Sequence, residues 1–260
     1  MPYSKSIGVK IWYEVKGDGP PLILVHANPF DHDLWLYQAA HFSTWFKVIG
    51  IRGYGRSAKV TEPFMLKDMC EDVVGVMTSL RLRRAVLMGC SVGSGIAILC
   101  GLDYSKWFNA IVLVGGNSGA SDRYQKRIEG YRKNLTTYHI AHMRELVAPD
   151  FSETQLGNHL LGMWVEREPR LLGEAVAQVF AAANSTDTTA RLSEMKVPAL
   201  VINGEYDHSL APGQRTASLI PGAQHKILPG TGHACCIEDP AGFDRLVIDF
   251  LRSHGLMPRL

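Results

Sequence analysis

Short apolar runs set apart by helix-like stretches constrain this chain more than any other feature. Residues 22–25 (LILV), 46–51 (FKVIGI), 85–88 (AVLM), 110–114 (AIVLV) and 199–202 (ALVI) are brief and mostly apolar. Runs of that kind, with no polar face, read as strands buried on both sides of a parallel sheet. A shorter run at 226–228 (KIL) and an alternating one at 7–15 (IGVKIWYEV) are further strands, the second followed by the turn GDGPP. Between them, 66–80, 91–102 and 243–251 read as helices. Strands alternating with helices define an α/β fold: a doubly wound, mainly parallel central sheet with helices on both faces. With 260 residues, 46% of them hydrophobic, the chain can bury one large core.

One stretch breaks the alternation. From 118 to 191 no strand pattern is evident, and helical patterns such as RYQKRIEGYRKNL and PRLLGEAVAQVFAAAN take its place. A parallel crossover needs only about a dozen residues. Residues 118–191 are therefore expected to form an inserted helical cap on a core made of 1–117 and 192–260.

Lysine and arginine number 27 and the acidic residues 25, a net charge of +2, so nothing favours a nucleic-acid or membrane partner. The first residues, MPYSKSIGVKIWYEVKGDGP, contain no apolar signal core, and no run approaches the ~20 apolar residues that span a bilayer. A cytoplasmic location is expected. The five cysteines, Cys70, Cys90, Cys100, Cys235 and Cys236, have no disulfide or metal-ligand spacing and are expected to be reduced packing residues. No cofactor and no metal are expected; the sequence leaves self-association into a homo-oligomer open.

The run 85–88 leads into Gly89-Cys90-Ser91-Val92-Gly93. A strand that turns sharply into a helix crowds the residues two before and two after its centre, so both must be small, as Gly89 and Gly93 are. The central residue is forced into a strained backbone conformation with its side chain clear of the sheet, beside the N–H of Val92. Ser91 is thereby a candidate nucleophile. In a doubly wound sheet functional groups gather at the carboxyl ends of strands. Those ends supply His26-Ala27-Asn28-Pro29 after 22–25, Ser91 after 85–88, Asp207 in GEYDH after 199–202, and His233 in PGTGH after 226–228. An alcohol nucleophile needs a base, and the base needs a partner to fix its tautomer. A hydroxyl, a carboxylate and an imidazole at strand ends meet both needs. Glu205 is the nearest rival carboxylate, and 115–117 (GGN) supplies none. His208 is expected to face solvent, His26 to brace its loop, and Cys90 to pack beneath the site.

These motifs resemble the α/β-hydrolase fold family over nearly the whole chain, most of all its small serine esterases and enol-lactonase-like branch. HANP is similar to the family's His-Gly-x-Pro loop, RGYGRS to its Asp-x-Arg-Gly-x-Gly-x-Ser loop, GCSVG to the nucleophile turn, GEYD to the acid loop and GTGHACCIEDP to the histidine loop. The resemblance implies Ser91 as nucleophile, His233 as base, Asp207 as acid, and the N–H groups of Asn28 and Val92 as the oxyanion hole. Two residues depart from the family pattern: Ala27 stands where Gly is usual, and Ile51 where Asp often precedes the Arg-Gly loop. Relatives that open epoxides or remove halide usually carry Asp at the nucleophile position. Those that cleave carbon–carbon bonds often have Trp after the base, where Ala234 stands here. The expected reaction is hydrolysis of a carboxylic ester or lactone of a small, partly apolar molecule through an acyl-enzyme. A carbon–carbon hydrolase of a ring-fission diketone and a hydrolase-like receptor with slow turnover are the alternatives. Phe30, Trp35, Met163, Trp164 and Leu210 are expected to line an apolar pocket, and Arg123, Arg127, Arg144 and Arg167 are candidates to receive a substrate carboxylate.

Overall fold

The structure is a computed structural model that describes residues 3–6, 9–52, 57–166 and 170–258. Ile7 and Gly8 of the first expected strand, 53–56 of the RGYGRS loop, and Arg167 lie outside the described residues. The sheet has eight strands: β1 (Tyr3–Ser6), β2 (Val9–Lys16), β3 (Pro21–Val25), β4 (Lys47–Arg52), β5 (Ala85–Cys90), β6 (Phe108–Val114), β7 (Ala199–Gly204) and β8 (Gln224–Leu228). Their spatial order is β1-β2-β4-β3-β5-β6-β7-β8. The β1–β2 and β2–β4 pairs are antiparallel, and every pair from β4 through to β8 is parallel.

The apolar runs became the central strands because both of their faces are covered. Along β3, Ile23 and Val25 join one apolar cluster while Leu22 and Leu24 join the other. β5 divides in the same way, with Ala85 and Leu87 on one face and Val86, Met88 and Cys90 on the opposite one. Against the first face pack α2 (Leu66–Ser79) and α3 (Val92–Asp103); against the second pack α1 (Leu36–Phe42) and α10 (Pro240–Ser253). In α10 the buried residues Phe243, Val247, Phe250 and Leu251 fall on one stripe, and Asp239 caps the first turn by accepting the Gly242 N–H at 2.9 Å.

Between β6 and β7 lie α4 (Asp122–Lys133), α5 (Leu135–Arg144), α6 (Gln155–Val165) and α7 (Gly173–Asn184), with no strand among the described residues there. Among the described residues this segment has no apolar core separate from that of the sheet. Ile128, Tyr131, Val176 and Phe180 belong to the cluster that contains Ile96 and Leu113, while Met143, Leu160 and Trp164 belong to the one that contains Met88 and Val114. α8 (Leu210–Leu219) follows β7, and the short α9 (Cys235–Glu238) follows β8. All five cysteines are free and buried. Among the described residues no helix is long and apolar enough to cross a membrane.

Candidate active site

The turn from β5 into α3 puts Ser91 at φ 55° and ψ −116°, a left-handed backbone that L-residues rarely adopt. The glycines explain how the turn closes. A Cβ on Gly89 would run into the carbonyl of Gly93, and one on Gly93 would lie 2.5 Å from Val25 O. That second approach brings the end of β3, and with it Asn28, beside the turn. Val92 opens α3, so its N–H has no carbonyl one turn earlier to bond. Asn28 is buried and donates its side-chain amide to Val176 O of α7 at 3.0 Å, tying the loop after β3 to the inserted helices. His26 Nδ1 lies 2.8 Å from Ala27 O, so His26 does brace its own loop, and burial lowers its pKa. Ser94, unremarked in the sequence, locks the turn: its Oγ is 2.7 Å from Gly89 O and 3.0 Å from Val114 O.

At the end of β7, Asp207 is held from several sides. Its Oδ1 accepts from the Ser209 N–H at 2.7 Å and from His233 Nδ1 at 2.8 Å; its Oδ2 accepts from Asn203 Nδ2 at 2.8 Å. Burial alone would raise the carboxyl pKa, but the charge of His233 and these hydrogen bonds hold it well below the usual carboxylate range. With Asp207 ionised, His233 Nδ1 must carry hydrogen, which leaves Nε2 as the acceptor. Glu205, the rival carboxylate, is exposed and accepts the Gly230 N–H at 2.9 Å. It braces the loop after β8 and does not touch the imidazole.

Gly115 connects this pair to Ser91, a part the sequence did not disclose. The Ser91 N–H donates to Val114 O at 2.7 Å, and the next residue, Gly115, sits at φ 57° against the imidazole. A Cβ there would lie 2.6 Å from His233 Cε1 and 2.7 Å from Nδ1. The end of β6 therefore touches the serine turn on one side and the base on the other. Glu238 holds the histidine loop from behind, accepting the Ala148 N–H at 2.7 Å and the Gly232 N–H at 2.8 Å. Its burial outweighs those donors and pushes its pKa up to about 7.

His208 does not face solvent as expected. Its ring stacks on His233 with centroids 4.3 Å apart and planes at 22°, and burial followed by the neighbouring His233 charge pushes its pKa down to about 3. Asp207, His208 and His233 place ligand-capable atoms within 4.8 Å of one another, as do Asp31, His32 and Asp33. In the first group Asp207 Oδ1 and His233 Nδ1 are already bonded to each other, and in the second His32 is paired with Glu14 at 3.0 Å.

The expected pocket residues are not gathered around one space. Trp35 is fully enclosed and packs against Phe243 under the sheet, so its place among the pocket residues is corrected: it is core. Phe30 and Trp164 form a buried edge-to-face pair, centroids 4.7 Å apart, beside a cleft of only about 20 Å³. Met163 packs against the same cluster, and Leu210 is half-buried at the start of α8. None of the five borders the space beside Asn28 and Val92. That space is a cavity of about 310 Å³ bounded by Asn28, Val92 and a mainly aliphatic wall that includes Ile11, Ile51, Val73 and Ile96. Of the arginines, Arg127 is buried and engaged by Glu145 at 2.8 Å, whereas Arg123 and Arg144 are exposed.

A parallel sheet with helices on both faces and a strained serine turn beside an Asp–His pair define the α/β hydrolases, and residues 20–240 match that family's fold. The chain belongs to the alpha/beta hydrolase family. It is 30% identical over 267 residues to an AB hydrolase superfamily protein, YisY, of Bacillus subtilis, covering 94% of this chain and 96% of the relative. It is 24% identical over 268 residues to the non-heme chloroperoxidase CPO-A1 of Kitasatospora aureofaciens, covering 95% and 97%. The crystal structure of the enol-lactonase from Burkholderia xenovorans LB400 superposes with a TM-score of 0.90 at 24% identity, covering 96% of this chain and all (100%) of that one.

Proposed function

We propose that this chain is a serine hydrolase that cleaves a carboxylic ester or lactone through an acyl-enzyme. One observation carries the reading: the Asp207–His233 hydrogen bond of 2.8 Å is joined to the serine turn through Val114 and Gly115. In this reading His233 Nε2 takes the Ser91 proton as Oγ attacks the substrate carbonyl. Asp207 holds the tautomer and stabilises the imidazolium. The N–H groups of Asn28 and Val92 bind the oxyanion of the tetrahedral intermediate. His233 then protonates the leaving alcohol, and water attacks the acyl-enzyme by the same route. Residues 118–191 act as the cap, with α7 anchored to the oxyanion loop through Asn28.

Ester or lactone is preferred over carbon–carbon cleavage because Ala234 follows the base, where relatives that cleave carbon–carbon bonds often carry Trp. The test is a panel of alkyl esters, lactones and ring-fission diketones with wild type and Ser91→Ala. Esters or lactones should turn over repeatedly, and Ser91→Ala should lose about a thousandfold or more, since such groups act as a unit. Undiminished turnover by folded Ser91→Ala refutes the nucleophile. Repeated turnover of the diketones alone refutes the bond type, and a single turnover supports the receptor alternative.

A further inference from the structure

We propose that the cavity beside Asn28 and Val92 is the acyl pocket of this site, taking an unbranched apolar acyl chain of at most about ten carbons, the number of ~30 Å³ water-sized groups that its volume holds. The proposal rests on the hydrolase reading above and adds its substrate class. Sheet order sets the direction. β5, which carries Ser91, lies in the middle; β7 and β8, whose ends carry Asp207 and His233, lie to one side; β3, β4 and β2 lie to the other. The leaving alcohol must be protonated by the base, so it sits on the His233 side. The carbonyl oxygen is aimed at the N–H groups of Asn28 and Val92. The remaining substituent of the carbonyl carbon is the acyl chain, which is thereby turned away from His233, toward β3, β4 and β2.

The cavity lies on that side. It borders Asn28 and Val92 themselves and extends over Ile11 of β2 and Ile51 of β4, between Met69 of α2, Ile96 of α3 and Val179 of α7. Its polar neighbours besides Asn28 are His26, Ser57, Lys59, Asp68 and Asp72: Lys59 is exposed, Asp68 caps α2 by accepting the Met65 N–H at 2.8 Å, and Ser57 accepts the Trp12 N–H at 3.0 Å. A mainly apolar space of about 310 Å³, open on the Lys59 side, is about ten times a water's share of liquid volume and falls at the low end of small-molecule sites. Its position against the proposed oxyanion donors makes it the volume of a ligand joined to the reacting carbonyl. A medium-length chain fills it with some slack; a long-chain fatty acyl group does not fit.

The test varies one side of the ester at a time. In a series of p-nitrophenyl acetate, butyrate, hexanoate, octanoate and dodecanoate, kcat/KM should rise by about fourfold per methylene until the cavity is full and then fall by dodecanoate. Lengthening the alcohol of simple acetates should change it little. Val179→Phe projects an aromatic ring into the cavity from α7. It should lower the octanoate value at least about thirtyfold, the worth of two to three methylenes, while acetate stays within about threefold. Met69→Phe intrudes from α2 and serves the same purpose if Val179→Phe melts early. An unchanged acyl-length profile in folded variants that still cleave acetate overturns the proposal and leaves the hydrolase reading intact. If wild type cleaves none of these esters, the ester reading has failed, and calorimetric titration with octanoate decides the cavity alone. Binding that Val179→Phe abolishes upholds an apolar-chain site, and no binding to wild type overturns it.

Discussion

Gly115→Ala separates the geometry of the base from the stability of the fold. At φ 57° an L-residue costs about 1–2 kcal/mol in the backbone. The added methyl would also lie 2.6 Å from His233 Cε1, where ordinary contact begins at 3.4 Å, so the ring must give by about 0.8 Å. It has little freedom to do so, being bonded to Asp207 at 2.8 Å and stacked on His208 at 4.3 Å. Overpacking of this kind costs about 1–3 kcal/mol, and a displacement approaching 1 Å in a reacting group costs about 10²-fold in rate. We therefore expect a total destabilisation of about 2–5 kcal/mol and a fall in kcat/KM of about a hundredfold in protein that is still folded. Gly222→Ala is the control, since Gly222 has φ 71° and a methyl group there would meet nothing within 4 Å, so it incurs the backbone cost alone. Urea unfolding gives the stability difference between the two variants, and ester hydrolysis at a temperature where both are native gives the rates. A Gly115→Ala enzyme within threefold of wild type, or a Gly222→Ala enzyme equally impaired, would refute the link between this glycine and the base.

Other consequences are simpler to state. Asp207→Asn should lower kcat by about 10⁴ through the wrong imidazole tautomer, whereas Glu205→Gln keeps an acceptor for the Gly230 N–H and should change kcat little; the reverse ranking in steady-state kinetics contradicts the acid assignment. Trp164→Ala empties a fully packed position against Phe30 and should cost about 3–5 kcal/mol in chemical denaturation, without changing acyl-length preference among esters. Glu238 has a folded pKa of about 7 against 4.5 for the unfolded group, so the native state binds the extra proton between those values and stability declines as pH rises through that window. Glu238→Gln should remove that decline, worth at most about 3 kcal/mol, and urea midpoints between pH 5 and 8 that track wild type would contradict it.

What the sequence disclosed and what it hid divide along physical lines. Central strands were legible because both faces of each are covered, leaving them no room for polar side chains; β5 and β7 are buried at every position. β1, with the polar sequence YSKS, carries no such signature and exists through its antiparallel ladder to β2. Ser91, Asp207 and His233 stood out because each lies within about five residues of the end of an apolar run, and the glycines at 89 and 93 have a local steric reason. Gly115 and His208 were not, because their importance comes from a ring delivered by a loop distant in the chain. The aromatic residues misled for a related reason. Trp35 follows the HANP loop and Trp164 lies in an apolar stretch of the inserted helices, but their size is used to fill the core under the sheet and those helices.

Ile51, which departs from the family pattern, lies in the wall of the cavity beside Asn28 and Val92. Ile51 lies at the carboxyl end of β4, paired in register with Val25 of β3 and Tyr13 of β2, and its side chain contributes to the cavity wall. An aspartate in that position would add a carboxylate needing a donor partner or water to a wall that already carries Asp68 and Asp72. The isoleucine removes that demand and leaves a surface continuous with Ile11, Val73 and Ile96. In this chain, then, discrimination between substrates is expected from the β2–β4 side of the sheet as well as from the inserted helices, because that is where an apolar volume meets the proposed oxyanion donors.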